Sequence, residues 1–138
     1  MATHLHADFR EFLRLLNASG VEYLLIGGYA VGFHGYPRAT ADLDVWIRHD
    51  AANTDRAVAA LRAFGLSGAD PAVFDDPDAI IRIGVPPVRI ELMATISGVG
   101  FDEAYPERTT ARIEGVEIPF ISLSRLKQNK AASGRHKD

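Results

Sequence analysis

GGYAVGFHGYPRATADLDVWI, running from Gly27 to Ile47, joins a glycine pair to an alternating strand pattern that carries two aspartates. In ADLDVWI, Leu43, Val45 and Ile47 share one face of the predicted strand 41–47. Asp42, Asp44 and Trp46 share the other. Residues i and i+2 of a strand stand about 6.6–7 Å apart along the chain. Aspartate is disfavoured in strands, and two on one face repel unless a cation or water lies between them. Trp46 on that same face argues against a face that is simply wet.

Upstream, Tyr23–Gly27 (YLLIG) is a short apolar run suited to a buried strand. Glycines between a strand and a helix let backbone amides approach a phosphate, where the helix N-terminus adds partial positive charge. By itself the pair Gly27-Gly28 fits a tight strand-to-helix turn equally well. The run GGYAVGFHG contains neither GxxxxGK[ST] nor GxGxxG, which excludes a P-loop and a dinucleotide fingerprint. It also holds more glycine than helix propensity alone would place in a helix.

Further out, Leu5, Phe9, Phe12, Leu13 and Leu16 recur at helical spacing before Gly20. Asp50 caps a predicted helix to about Phe64, with Val58 and Leu61 inward. Residues 65–78 read as a Gly-, Pro- and Asp-rich surface loop. AIIRIG and VRIELMA form a predicted hairpin around Val85-Pro86-Pro87. Arg89, Glu91 and Met93 lie on one face of its second arm, and Val88, Ile90 and Leu92 on the other. A short helix is expected near 97–104, a hairpin around Glu114-Gly115, and a last helix capped by Ser122. Helices interleaved with short strands predict an α/β (α+β) fold, one domain over residues 1–138 with a mixed β-sheet flanked by helices.

Composition narrows the function classes. The chain has 138 residues, 47% hydrophobic and 24% charged, an ordinary globular balance. It has no cysteine, which removes disulfide scaffolds, zinc fingers and cysteine nucleophiles and suits a reducing cytoplasm. No apolar run approaches the roughly 20 residues of a membrane span, and the start of the chain lacks a secretory signal. A cytoplasmic protein with no membrane partner is expected. Net charge is -3, against a general nucleic-acid coat protein. All three lysines, Lys127, Lys130 and Lys137, fall in the last stretch. Residues 122–138 carry a net +4 and leave -7 on the rest. Such a tail is either a solvated helix face or a place for an anion.

A third carboxylate is needed to complete a site for two metals. Glu91 is the candidate for the third: it lies mid-strand on the face away from Ile90 and Leu92, and unpartnered burial would be costly. The alternative is a salt bridge to Arg89 or another arginine. Asp75, Asp76 and Asp78 compete from the loop, where turn roles are natural. His34 suits closure of the GFHGYPR turn rather than base catalysis, and His4 and His6 read as solvated.

The order strand, Gly-Gly, helix, then a strand with D-x-D resembles the nucleotidyltransferase fold of the DNA polymerase β superfamily. The matching residues are Gly27, Gly28 and the run RATADLDVWI from Arg38 to Ile47. The detailed form is similar to minimal nucleotidyltransferases related to the AbiEii group of toxin–antitoxin proteins. In those, GG, an Arg-x-Thr ahead of D-[IL]-D and a basic C-terminal helix recur. The likeness is sharp over residues 23–48 and looser beyond. It implies Mg²⁺ held by Asp42, Asp44 and Glu91. It implies nucleotide binding by Gly27 and Gly28, while Arg38 and Thr40 either touch phosphate or the acidic cluster or stabilise the turn. Lys127 and Lys130, three apart on one helix face where relatives place a basic helix, are expected to reach toward the β- or γ-phosphate, Lys127 foremost. The implied reaction is NMP transfer from an NTP to an acceptor hydroxyl on RNA, protein or a small molecule, with a partner toxin or antitoxin protein. Much of the superfamily has Gly-Ser where this chain has Gly27-Gly28. Relatives usually continue beyond a Lys-Asp pair, whereas this sequence stops at Lys137-Asp138, so their C-terminal extension is expected to be absent. Two other classes stand beside this one: a catalytically silent antitoxin or regulatory binding module, and a nucleic-acid binder using the tail.

Overall fold

The structure, a computed structural model, describes residues 5–36 and 42–134. The elements, in chain order, are α1 (Ala7–Ala18), β1 (Tyr23–Ile26), α2 (Gly27–Phe33), β2 (Asp42–Ile47) and α3 (Ala51–Ala63). A 3-10 turn at Pro71–Phe74, β3 (Ile80–Val85), β4 (Val88–Met93) and α4 (Phe101–Ala104) follow. A second 3-10 turn at Tyr105–Glu107, β5 (Thr109–Ile113), β6 (Val116–Phe120) and α5 (Leu123–Ala132) complete the chain. Six strands form one mixed sheet in the order β3-β4-β2-β1-β6-β5. β2 runs antiparallel to β1 and parallel to β4; β1 runs parallel to β6. This is the expected α/β class with a mixed sheet.

Register sorts the side chains by face. Leu43, Val45 and Ile47 of β2 align with Ile90 and Leu92 of β4 and with Tyr23 and Leu25 of β1. Phe120 lies opposite Leu25 and brings Ile118 and Val116 to the same side. All ten of these residues are buried. Full burial of one such side chain is worth about 1.5–3 kcal/mol, so this face holds the fold together. α1 packs on α3, β4 and β6, while α2 packs on β1, β2 and α5.

The predicted caps form. Asp50 accepts a hydrogen bond from the Asn53 amide at 2.8 Å and Ser122 Oγ from the Arg125 amide at 3.3 Å. Glu114 (φ 51°) and Gly115 (φ 83°) turn the β5–β6 hairpin in the left-handed region. One expectation needs correction. Residues 65–78 are not only loop: the 3-10 turn buries Phe74, whose carbonyl meets His49 Nε2 at 2.8 Å. His6 is exposed, as expected, and its Nδ1 accepts from the Asp8 amide and caps α1. α2 forms despite its glycines because the tertiary structure holds it. Ala30 and Val31 are buried, and Phe33 stacks on Phe120 at 4.1 Å.

Candidate active site

The opposite face of the sheet is a set of rungs that change character along the strands. Leu24, Trp46, Met93 and Ile80 form an apolar rung; Trp46 is buried, with Nε1 donating to the Ala94 carbonyl at 3.1 Å. One step along, Ile26, Asp44, Glu91 and Arg82 align across four strands. One step further, Asp42 pairs in register with Arg89. The carboxylates of Asp42, Asp44 and Glu91 therefore converge, with one oxygen of each lying within 4.8 Å of the others. Glu91 is 47 residues beyond Asp44 in sequence and directly opposite it in space. Asp75, Asp76 and Asp78 stay outside this group. Asp76 accepts from the Asp78 amide in a turn, and Asp78 accepts from Thr95 Oγ1.

Arginines face the carboxylates. Arg89 Nη2 and Nε both donate to Asp42 Oδ2, at 2.7 and 3.2 Å, and Nε lies 3.7 Å from Glu91 Oε2. Arg82 Nε donates to the same Glu91 oxygen at 2.8 Å. The hydrogen bond to Asp42 is the chief reason that the guanidinium of Arg89 is held above its already high ordinary pKa. The salt bridge weighed as the alternative for Glu91 is present, and it leaves the carboxylate beside those of Asp42 and Asp44.

Gly27 closes the site from the side. It follows β1 with no intervening loop, at φ 68°, and a Cβ placed there would stand 2.1 Å from Asp44 Oδ2. Only glycine lets the backbone come this near to the carboxylate. Gly28 follows in the first turn of α2. Three hard oxygen donors around a cradle that a side chain would fill are a donor set that suits Mg²⁺. Beside them opens a cleft of about 300 Å³, bounded by Gly27, Asp44 and Glu91 on the sheet side. On the α5 side, Asn129, Lys130 and Ser133 line it. Lys127 is exposed and not part of that lining.

This site lies where the D-x-D strand, the Gly-Gly turn and a third acidic strand meet, and a family model covers all of it, matching residues 5–138. The chain belongs to the family described as nucleotidyl transferase of unknown function (DUF2204). A crystal structure from Thermotoga maritima, titled a "putative nucleotidyltransferase", aligns with a TM-score of 0.64 at 15% identity. The alignment covers 94% of this chain and 84% of that one, and at this identity it speaks for a shared fold. Comparison with curated proteins finds no match.

In this member of the family the remaining sequence-derived candidates fall as follows. Arg38, Thr40 and Lys137 lie outside the described residues. His34 ends α2 with Nε2 2.7 Å from the Ile121 carbonyl, a structural contact. What strand alternation did not reveal is the pairing of Arg89 with Asp42, since register between strands carries that information. Nor did it reveal the seat of α5. Asn129 Nδ2 donates to the Ser97 carbonyl at 3.0 Å and Gln128 Nε2 to the Gly98 carbonyl at 2.8 Å. A Cβ on Gly98 would meet Ala132 Cβ at 2.4 Å. Among the described residues no helix is long and apolar enough to cross a membrane.

Proposed function

We propose that this chain is a Mg²⁺-dependent nucleotidyltransferase that moves an NMP unit from an NTP to an acceptor hydroxyl. The observation that carries this is the meeting of Asp42, Asp44 and Glu91 beside a glycine that nothing larger can replace. Asp42, Asp44 and Glu91 would hold Mg²⁺, which when bound neutralises phosphate charge and polarises the reacting oxygens. Gly27 and Gly28 offer backbone amides to the phosphates. Lys130, on the cleft wall, supplies a mobile cation for them. The acceptor oxygen attacks the α-phosphorus, the bond to the β-phosphate bridge breaks, and pyrophosphate leaves. Glu91 assists removal of the acceptor proton. In-line displacement needs little beyond this positioning and charge neutralisation. Pairing with a toxin or antitoxin protein, as in AbiEii-like systems, is the finer part of the proposal and rests on the motif form around residues 38–44.

One observation favours a second reading, a catalytically silent binding module: Asp42 and Glu91 already carry arginines. Incubation with each labelled NTP, Mg²⁺ and a cell extract separates the two. Transfer of label to RNA, protein or a small molecule, lost in Asp44→Asn, supports the enzyme. Failure to bind any Mg²⁺-NTP, together with tight capture of the neighbouring reading frame's product, supports the module.

A further inference from the structure

Arg89 sits where a cation is wanted. Its guanidinium gives two N–H groups to a single oxygen of Asp42 and stands 3.7 Å from Glu91. Arg82 differs: it lies on the edge strand, its side chain is 56% exposed against 30% for Arg89, and it touches Glu91 alone. Three carboxylates packed within 4.8 Å repel one another, and the two guanidiniums offset most of that charge. A guanidinium does not lose its proton, so loss of its own charge cannot lift it from Asp42. A stronger cation can, and then Arg89 needs a new anion. Guanidinium is suited to phosphate oxygens.

Building on the nucleotidyltransferase reading, we propose that Arg89 gates the carboxylate site: it holds Asp42 in the metal-free protein and moves to the polyphosphate when metal and nucleotide enter together. Metal alone must displace Arg89 and leave it without an anion. Metal with nucleotide supplies one. The two ligands therefore bind cooperatively, and each depends on Arg89 with opposite sign. A side chain that merely supported the fold would weaken both when removed.

The test uses the full chain with Mn²⁺, an oxygen-seeking ion with a free-ion EPR signal. Wild type, Arg89→Gln, Arg89→Lys and Asp44→Asn are titrated with Mn²⁺ alone. Each is then titrated with α,β-non-hydrolysable analogues of the four NTPs in saturating Mn²⁺. Arg89→Gln is expected to bind Mn²⁺ alone about tenfold tighter and the preferred analogue about tenfold weaker, the scale of one charge-assisted contact. Arg89→Lys, which keeps the charge without the fork, shifts both in the same directions by less. It carries the test if thermal melts show that Arg89→Gln is unfolded. The gate is overturned if wild type binds Mn²⁺, Asp44→Asn does not, and the Arg89 variants bind it no tighter than wild type. Absence of Mn²⁺ binding in wild type and both Arg89 variants would overturn the metal site, and the gate with it.

Discussion

Strand β2 shows Leu43, Val45 and Ile47 to one side of the sheet and Asp42 and Asp44 to the other, six consecutive residues under two sets of forces. On the first side every neighbour across the strands is apolar and buried, and the free energy comes from area removed from water. On the second, Trp46 is buried in an apolar rung, while Asp42 and Asp44 face Glu91, Arg89 and Arg82 among the described residues, where arginine charge offsets much of the carboxylate repulsion. Residues one step apart can therefore be changed with opposite consequences. A change on the apolar side removes the fold. A change at Asp42 or Asp44 is expected to remove chemistry and leave the fold standing.

The sharpest way to break this comparison is Asp44→Asn. Transfer is expected to fall by about 10²–10³-fold or more, the scale of losing a group that stabilises transition-state charge. Denaturant unfolding in EDTA is expected to show stability unchanged or slightly raised, because one of three clustered negative charges is gone. A large loss of stability would mean that the charged face also carries the fold. The neighbouring change, Leu43→Ala, is expected to cost about 2–5 kcal/mol in the same unfolding measurement, through lost burial and the cavity left behind.

Nucleotide binding sharpens the contrast on α5. Lys130→Ala is expected to weaken Mg²⁺-NTP binding by about 1.5–3 kcal/mol, since Lys130 lines the cleft. Lys127→Ala, on the exposed side of the same helix, is expected to leave binding unchanged. Equal effects in a calorimetric titration would place the phosphates elsewhere. Metal linkage comes last. Mg²⁺ at a hundredfold excess over its Kd is expected to stabilise the wild type by about 2.7 kcal/mol and to leave Asp44→Asn unmoved. A thermal melt with and without Mg²⁺ reads this difference directly.

Much of this was legible in the one-dimensional pattern because strands repeat every two residues. Alternation alone puts Asp42 with Asp44 and Glu91 with Arg89, and assigns Leu43, Val45, Ile90 and Leu92 to the core. Caps at Asp50 and Ser122 were readable because they depend on contacts three residues away. The burial of Phe74 was not, since its turn, though capped locally by Asp70, packs against distant residues such as His49.

Sequence by itself determined the fold class, the acidic strand and the Gly-Gly turn beside it, because local periodicity and short-range turn chemistry dictate them. Tertiary structure alone decided which atoms meet. Parallel pairing of β2 with β4 set Asp44 opposite Glu91 and Asp42 opposite Arg89. The Asp44 carboxylate, set against the backbone of Gly27 at its φ of 68°, made Gly27 irreplaceable. The seat of α5 on Ser97 and Gly98 turned Lys130 to the cleft and left Lys127 in solvent. Each of these depends on register or docking between segments far apart in the chain, and no local pattern encodes the offset of one strand or helix against another.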